Sequence, residues 1–290
     1  DGKASPAVEK KLAAGGRAAL ARLFPDARDG ADAFIIKKDG KAEFVYLQTL
    51  AIGQSLARAL EESIAEAIEK LPIPKVMTYQ LPDGITTVKF VRPAHGLLAL
   101  HGTEVVAVTA LGLKAGRVTH GHRFLGQADI GLDAASGYET ALQESGKVIA
   151  SFEERRSLIE KQLLARAREL GAGLGDYAVL LDEVTALVEW PVVYVAEFDP
   201  AFLEVPQECL ILTMRTNQKY FPLFDASGKL THRFLIVSNM QVADPVHIIS
   251  GNQRVVRPRL EDARFFYNQD RRERLETRVP RLEKVVYHNK

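Results

Sequence analysis

Apolar and polar positions recur along this chain with two different periods, and the changes of period mark its elements. Residues Ala7 to Arg22 alternate Ala, Lys, Leu and Arg as a helix does, interrupted at Gly15-Gly16 and ended by Pro25 and Asp29-Gly30. Phe34 to Ile36 and Phe44 to Leu47 flank Lys38-Asp39-Gly40-Lys41, whose Asp-Gly pair suits a tight turn, so a β-hairpin is predicted. Gln54 to Lys70 then puts Leu56, Leu60, Ile64, Ala67 and Ile68 on one side, an amphipathic helix stopped by Pro72 and Pro74.

Between Thr86 and Val118 the apolar runs shorten to Val88–Val91, Gly96–Leu100 and Glu104–Thr109, with Gly102, Gly112 and Gly116 at the corners, which predicts the strands of one compact sheet. A helix over Gly137–Glu144 and a strand over Gly146–Ile149 follow. Glu153 to Leu170 reads as a charged helix with Leu158, Ile159, Leu163 and Leu164 facing inward. Gly171-Ala172-Gly173-Leu174-Gly175 has the glycines of a nucleotide loop, but a helix precedes it where that fingerprint needs a strand, so it reads as a helix stop. Asp182 to Trp190 is predicted as a helix ended by Pro191, with a strand over Val192–Ala196. Gln218–Phe224 and Leu230–Ser238 form a second hairpin about Asp225-Ala226-Ser227-Gly228. Pro258 then opens a helix carrying Leu260, Ala263 and Tyr267 on one face.

Helices and strands interleave without a regular βαβ period, which gives an α+β fold of antiparallel sheets with flanking helices. Four segments are expected: an α+β lobe over 1–85, a β-rich lobe over 86–150, an α+β lobe with the second hairpin over 151–257, and a helical segment over 258–290. With 290 residues and 47% hydrophobic side chains, the chain can bury a sizeable core. It has no apolar run long enough to span a bilayer and no secretory layout, so a cytoplasmic protein is expected. The single cysteine, Cys209, excludes an internal disulfide, and its apolar context predicts a buried, inert thiol.

A formal charge of +1 carries no global nucleic-acid signature, so any such binding must come from a local patch. One exists: Gly251 to Arg281 holds nine arginines against five acids. Arg254, Arg257 and Arg259 straddle Pro258, so at a helix start their guanidinium forks and free backbone N–H groups converge into a phosphate site, with Asn252 as a further amide. The spacing leaves equally open that they bind Glu261 and Asp262 of the same helix, or a partner subunit. Phe265-Phe266-Tyr267 can stack on bases, although three consecutive aromatics more often make core or interface. Lys219 is a further cationic candidate. His120 and His122 share one face if extended but lack a third metal ligand; His122 with Arg123 can hold a phosphate or carboxylate, or form an internal salt bridge. No nucleophile elbow, phosphate-loop motif or zinc-helix motif occurs. Asp182-Glu183 and Glu261-Asp262 are neighbours on helices and point too far apart to share a substrate.

Several strings together carry a resemblance. Leu71–Met77 (LPIPKVM), Phe90–Pro93 (FVRP), Gly121–Phe124 (GHRF), Met214–Phe221 (MRTNQKYF), Gly251–Val255 (GNQRV) and Pro258–Phe266 (PRLEDARFF) closely resemble, in this order, the bacterial glycyl-tRNA synthetase β subunit. The likeness covers the chain from about Lys70 onward and is loose before it. Asn217 and Gln253 depart from the family pattern, which usually has histidine and glutamate there. The family's opening segment is absent and its HD-type and anticodon-binding domains are not reached, so an N-terminal or internal fragment is expected.

The resemblance implies a fold similar to the editing-type domain of the phenylalanyl-tRNA synthetase large subunit. It implies a separate α subunit that uses ATP and Mg to activate glycine, with no cofactor on this chain, and a heterotetramer of two α and two β chains acting on tRNA(Gly). The expected role is a non-catalytic, tRNA-positioning and assembly region of a glycine–tRNA ligase, with Arg254, Arg257, Arg259, Lys219, His122 and Arg123 as tRNA or phosphate contacts. A pure subunit-interaction scaffold and a vestigial editing-like domain are the alternatives.

Overall fold

The computed structural model describes residues 10, 34–39, 42–47 and 53–285. The helix predicted over Ala7–Arg22 lies outside them except for Lys10, which is helical. The chain divides into two units, Asp1–Ser63 and Ile64–Lys290. In the first, β1 (Phe34–Asp39) and β2 (Ala42–Leu47) form the predicted antiparallel hairpin, Phe34 opposite Leu47 and Asp39 opposite Ala42. The boundary between the units falls within α1 (Leu56–Lys70), which stops ahead of Pro72 as expected.

The second unit begins with short ladders rather than the predicted compact sheet. β3 (Met77–Gln80) and β4 (Thr87–Phe90) form a hairpin whose turn is held by Asp83, which accepts from the N–H groups of Ile85 and Thr86 at 3.0 and 2.9 Å. Three further pairs contain two residues per strand: β5 (Leu100–His101) with β6 (Glu104–Val105), β7 (Thr109–Ala110) with β8 (Leu113–Lys114), and β9 (Val118–Thr119) with β10 (Ile130–Gly131). Left-handed backbone at Gly102 and at Leu111-Gly112 reverses the chain before a ladder can lengthen. Ile130, Leu132 and Leu142 form the small core beneath them. A short helix, α2 (Tyr138–Ala141), runs into a wide turn over Leu142–Gly146. The strand predicted at Gly146–Ile149 is absent; the N–H groups of Val148 and Ile149 donate to Leu142 O and Glu189 O and join no ladder.

The main core surrounds a three-stranded antiparallel sheet, β11 (Val192–Glu197), β13 (Leu230–Ser238) and β12 (Phe221–Phe224), with β13 central. Alternation along β13 sends Leu235 and Val237 to one face and Phe234 and Ile236 to the other. α3 (Phe152–Glu169) covers the first face with Ile159, Leu163 and Ala167, an i, i+4, i+8 row. Leu164, predicted inward, is exposed, because its azimuth lies about 100° from Leu163. Ser151 caps the helix by accepting from Glu154 N at 3.2 Å. At its end Gly171 adopts φ 62°, with Ala172 N bonded to Ala167 O and Gly171 N to Arg168 O, so the glycine run is the predicted helix stop, built as a Schellman motif.

α4 (Ala178–Thr185) packs Leu180, Leu181 and Val184 on the same face. It lies N-terminal to the predicted Asp182–Trp190, because the Asn239 side-chain oxygen takes the N–H groups of Glu189 and Trp190 at 2.7 and 2.8 Å. The opposite face is covered by Phe202, α5 (Gln207–Leu212) and α6 (Val246–Asp270). Cys209 is exposed on α5, correcting the buried thiol expected, since Leu210 takes the inward position. The architecture is mixed helix and small antiparallel sheets, an α+β fold.

Candidate nucleic-acid interface

α6 starts after Pro245, twelve residues before the predicted start, and Pro258 stands inside it. Val256 and Leu260 are buried against the sheet on either side of the proline, and this packing keeps the helix continuous. Arg254, Arg257 and Arg259 therefore belong to a helix interior. The converging free N–H groups expected around them are absent, because amides there are committed to the preceding turn. Asn252 is no phosphate-facing amide either. Its Oδ1 accepts from the Tyr220 hydroxyl at 2.7 Å and its Nδ2 donates to Ile248 O at 2.7 Å. Burial pushes the Tyr220 hydroxyl up to about 12.

The three arginines are exposed but differently engaged. Arg257 pairs with Glu261 at 3.0 Å. Arg264 lies over the Phe202 ring at 4.8 Å and pairs with Glu204, and Arg278 and Arg281 share Glu273. Arg254, Arg259, Arg272 and Arg274 have no acidic partner among the described residues. Of the three, Arg257 is thus tied to an acid of its own helix, while Arg254 and Arg259 are exposed and have no acidic partner among the described residues. Phe265 and Phe266 stand out of the same helix, 55% and 62% exposed, with ring centroids 5.4 Å apart, while Tyr267 packs inward.

Lys219 takes a left-handed backbone (φ 61°) and its ammonium meets Glu183 at 2.6 Å. Asp182, the adjacent acid, holds Arg156 at 2.6 Å. The two histidines diverge instead of sharing a face. His120 is exposed and pairs with Asp129 at 3.1 Å, whereas His122 is only 3% exposed. Nδ1 of His122 accepts from the N–H groups of Phe124 and Leu125, both at 3.2 Å, and Nε2 donates to Asn239 O at 2.7 Å. Backbone amides can only donate, so the proton sits on Nε2 and the ring has no face left for a ligand. Arg123, next in sequence, is exposed and has no ion-pair partner among the described residues.

Phe124, which the sequence offers only as part of a motif, is the most exposed phenylalanine among the described residues, at 73%. Glycines on either side of His122 were the available signal. A cleft of about 710 Å³ lies between Tyr138, Glu139, Arg155, Leu187, Glu189 and neighbouring residues. Arg155 is consumed there by the carbonyls of Thr185, Ile149 and Ala150. Among the described residues no group of three or more His, Cys, Asp or Glu side chains could hold a metal, and no helix is long and apolar enough to cross a membrane.

Exposed cations and aromatics thus lie on the surface of an α+β unit. The sequence comparisons give its family. The family model described as glycyl-tRNA synthetase beta subunit matches residues 2–290, and the chain belongs to that family. It is 56% identical over 290 residues to the glycine–tRNA ligase beta subunit of Aromatoleum aromaticum, and 55% identical over 293 residues to that of Methylobacillus flagellatus. The match covers 100% of this chain in both, and the chain spans about 40% of the length of these relatives.

Proposed function

We propose that this chain is the tRNA-positioning and assembly region of a glycyl-tRNA synthetase β subunit. It would support ATP-dependent attachment of glycine to tRNA(Gly) by a separate α subunit, in an assembly of two α and two β chains. ATP and Mg belong to the α subunit in this reading. The fold kinship with the editing-type domain of the phenylalanyl-tRNA synthetase large subunit is part of the same proposal. The observation that carries it is the surface of α6, where Arg254 and Arg259 are exposed without acidic partners among the described residues and Phe265 and Phe266 are exposed farther along the same helix. Guanidinium groups of this kind replace counterions on phosphates, and exposed rings stack on bases.

The test is tRNA(Gly) binding by the assembled full-length enzyme across a salt series. Replacing Arg254, Arg257 and Arg259 together by alanine lowers the slope of log Kd against log salt by roughly 0.7–0.9 per lost phosphate contact. An unchanged slope with a lower Tm assigns the cluster to architecture. The exposed apolar run Leu275, Val279 and Leu282 just beyond α6 favours the second reading, a scaffold for other subunits or domains. Loss of α-subunit co-purification with tRNA binding intact would support it.

A further inference from the structure

The loop Gly121–Gly126 is held by close contact between backbones. A Cβ on Gly121 would sit 2.6 Å from Gln127 O and 2.7 Å from the Cα of Gly146, and one on Gly126 would overlap the Gly146 carbonyl. Three glycines therefore let two backbones touch, and His122 N donates to Gly146 O at 2.7 Å across that contact. The buried His122 ring then fixes the loop from inside through Phe124 N, Leu125 N and Asn239 O. What this frame presents to solvent is Arg123 and Phe124.

A second cation and ring are bolted to the same frame. Lys147 follows Gly146, and its ammonium lies 5.4 Å from the centroid of the Trp190 ring. Trp190 N is held by the side chain of Asn239, the residue whose carbonyl receives His122. Among the neighbours of Phe124 in the chain, Arg123, Gln127, Ala128 and Asp129 are exposed, and Leu125 is half-buried. The exposed neighbours of Phe124 in the chain are polar or small, unlike the aromatic and apolar core on which a protein interface centres. A single ring beside a free guanidinium instead matches one unpaired base and its phosphate.

We propose that the Gly121–Gly126 loop is a second RNA contact, in which Phe124 stacks on the base of an unpaired nucleotide and Arg123 holds an adjoining phosphate, with His122 as the positioning residue beneath them. This rests on the reading that the chain acts on tRNA, but not on the α6 arginines. The experiment uses the full-length β chain assembled with its α subunit and a tRNA(Gly) transcript. Phe124→Ala weakens binding about 5- to 150-fold, the range expected for one stacked base, while Phe124→Trp stays within about 2-fold of the parent. A photoreactive benzoyl-phenylalanine at position 124 crosslinks to an unpaired nucleotide. Crosslinking to protein, crosslinking to a paired stem, or unchanged affinity of Phe124→Ala at unchanged Tm each overturns the inference. If the triple arginine variant keeps its salt slope while position 124 crosslinks to RNA, the α6 reading fails and this one stands; the opposite pattern overturns only the loop.

Discussion

His122 donates from Nε2 to the carbonyl of Asn239 at 2.7 Å, joining residues 117 positions apart in the chain. Its other nitrogen caps the N–H groups of Phe124 and Leu125, so one buried ring serves three backbone groups. His122→Ala leaves all three without partners, and a loss of about 2–4 kcal/mol in urea unfolding is expected. His122→Asn retains an acceptor near Nδ1 but cannot reach Asn239. It should lose roughly half as much, and an equal loss for both would show that the loop bonds contribute nothing.

Gly126 and Gly131 offer a matched pair. A Cβ at Gly126 collides with backbone of Gly146, whereas one at Gly131 meets nothing within 4 Å. Gly126→Ala should therefore cost more than about 3 kcal/mol, since backbone rather than a flexible side chain must move. Gly131→Ala, in β10, should be neutral or stabilising by about 0.5–1 kcal/mol through reduced freedom of the unfolded chain. Thermal melts of the two variants side by side check the close approach.

Tyr220 couples stability to alkaline pH. Its folded value of about 12 lies above the ordinary 10 because burial penalises the phenolate. A folded value raised above the unfolded one contributes stability that is complete below about pH 10 and is lost as pH rises toward 12. Wild type should lose about 1–2 kcal/mol between pH 9.5 and 11.5 from this group. Tyr220→Phe lacks that limb but gives up the bond to Asn252, about 1 kcal/mol at neutral pH. The gap between the two proteins in urea unfolding should thus narrow as pH rises; a constant gap would exclude the coupling.

Pro258 interrupts the hydrogen-bond ladder of α6, leaving Arg254 O without its i+4 donor on an exposed turn. Pro258→Ala supplies that donor and removes ring crowding. A stabilisation of about 1–3 kcal/mol is expected, read as a rise in Tm. A fall in Tm would mean that the proline fits a bend on which the packing of Val256 and Leu260 depends.

Local pattern determined a good part of this protein. Both long hairpins, the helices over Leu56–Lys70 and Phe152–Glu169, the glycine stop at Gly171 and the concentration of arginine beyond Gly251 are all legible from neighbours in sequence, because each depends on backbone propensity or short-range periodicity. Family membership was legible too, through ordered strings of residues. Tertiary structure decided the rest. It carried α6 through Pro258 because Val256 and Leu260 bury their side chains on both sides of it, and it moved α4 because Asn239 captured the amides of Glu189 and Trp190. It also separated His122 from Arg123, burying the imidazole and leaving the guanidinium in water. Such outcomes turn on contacts between residues far apart in the chain, whose free energy exceeds the local preference they override.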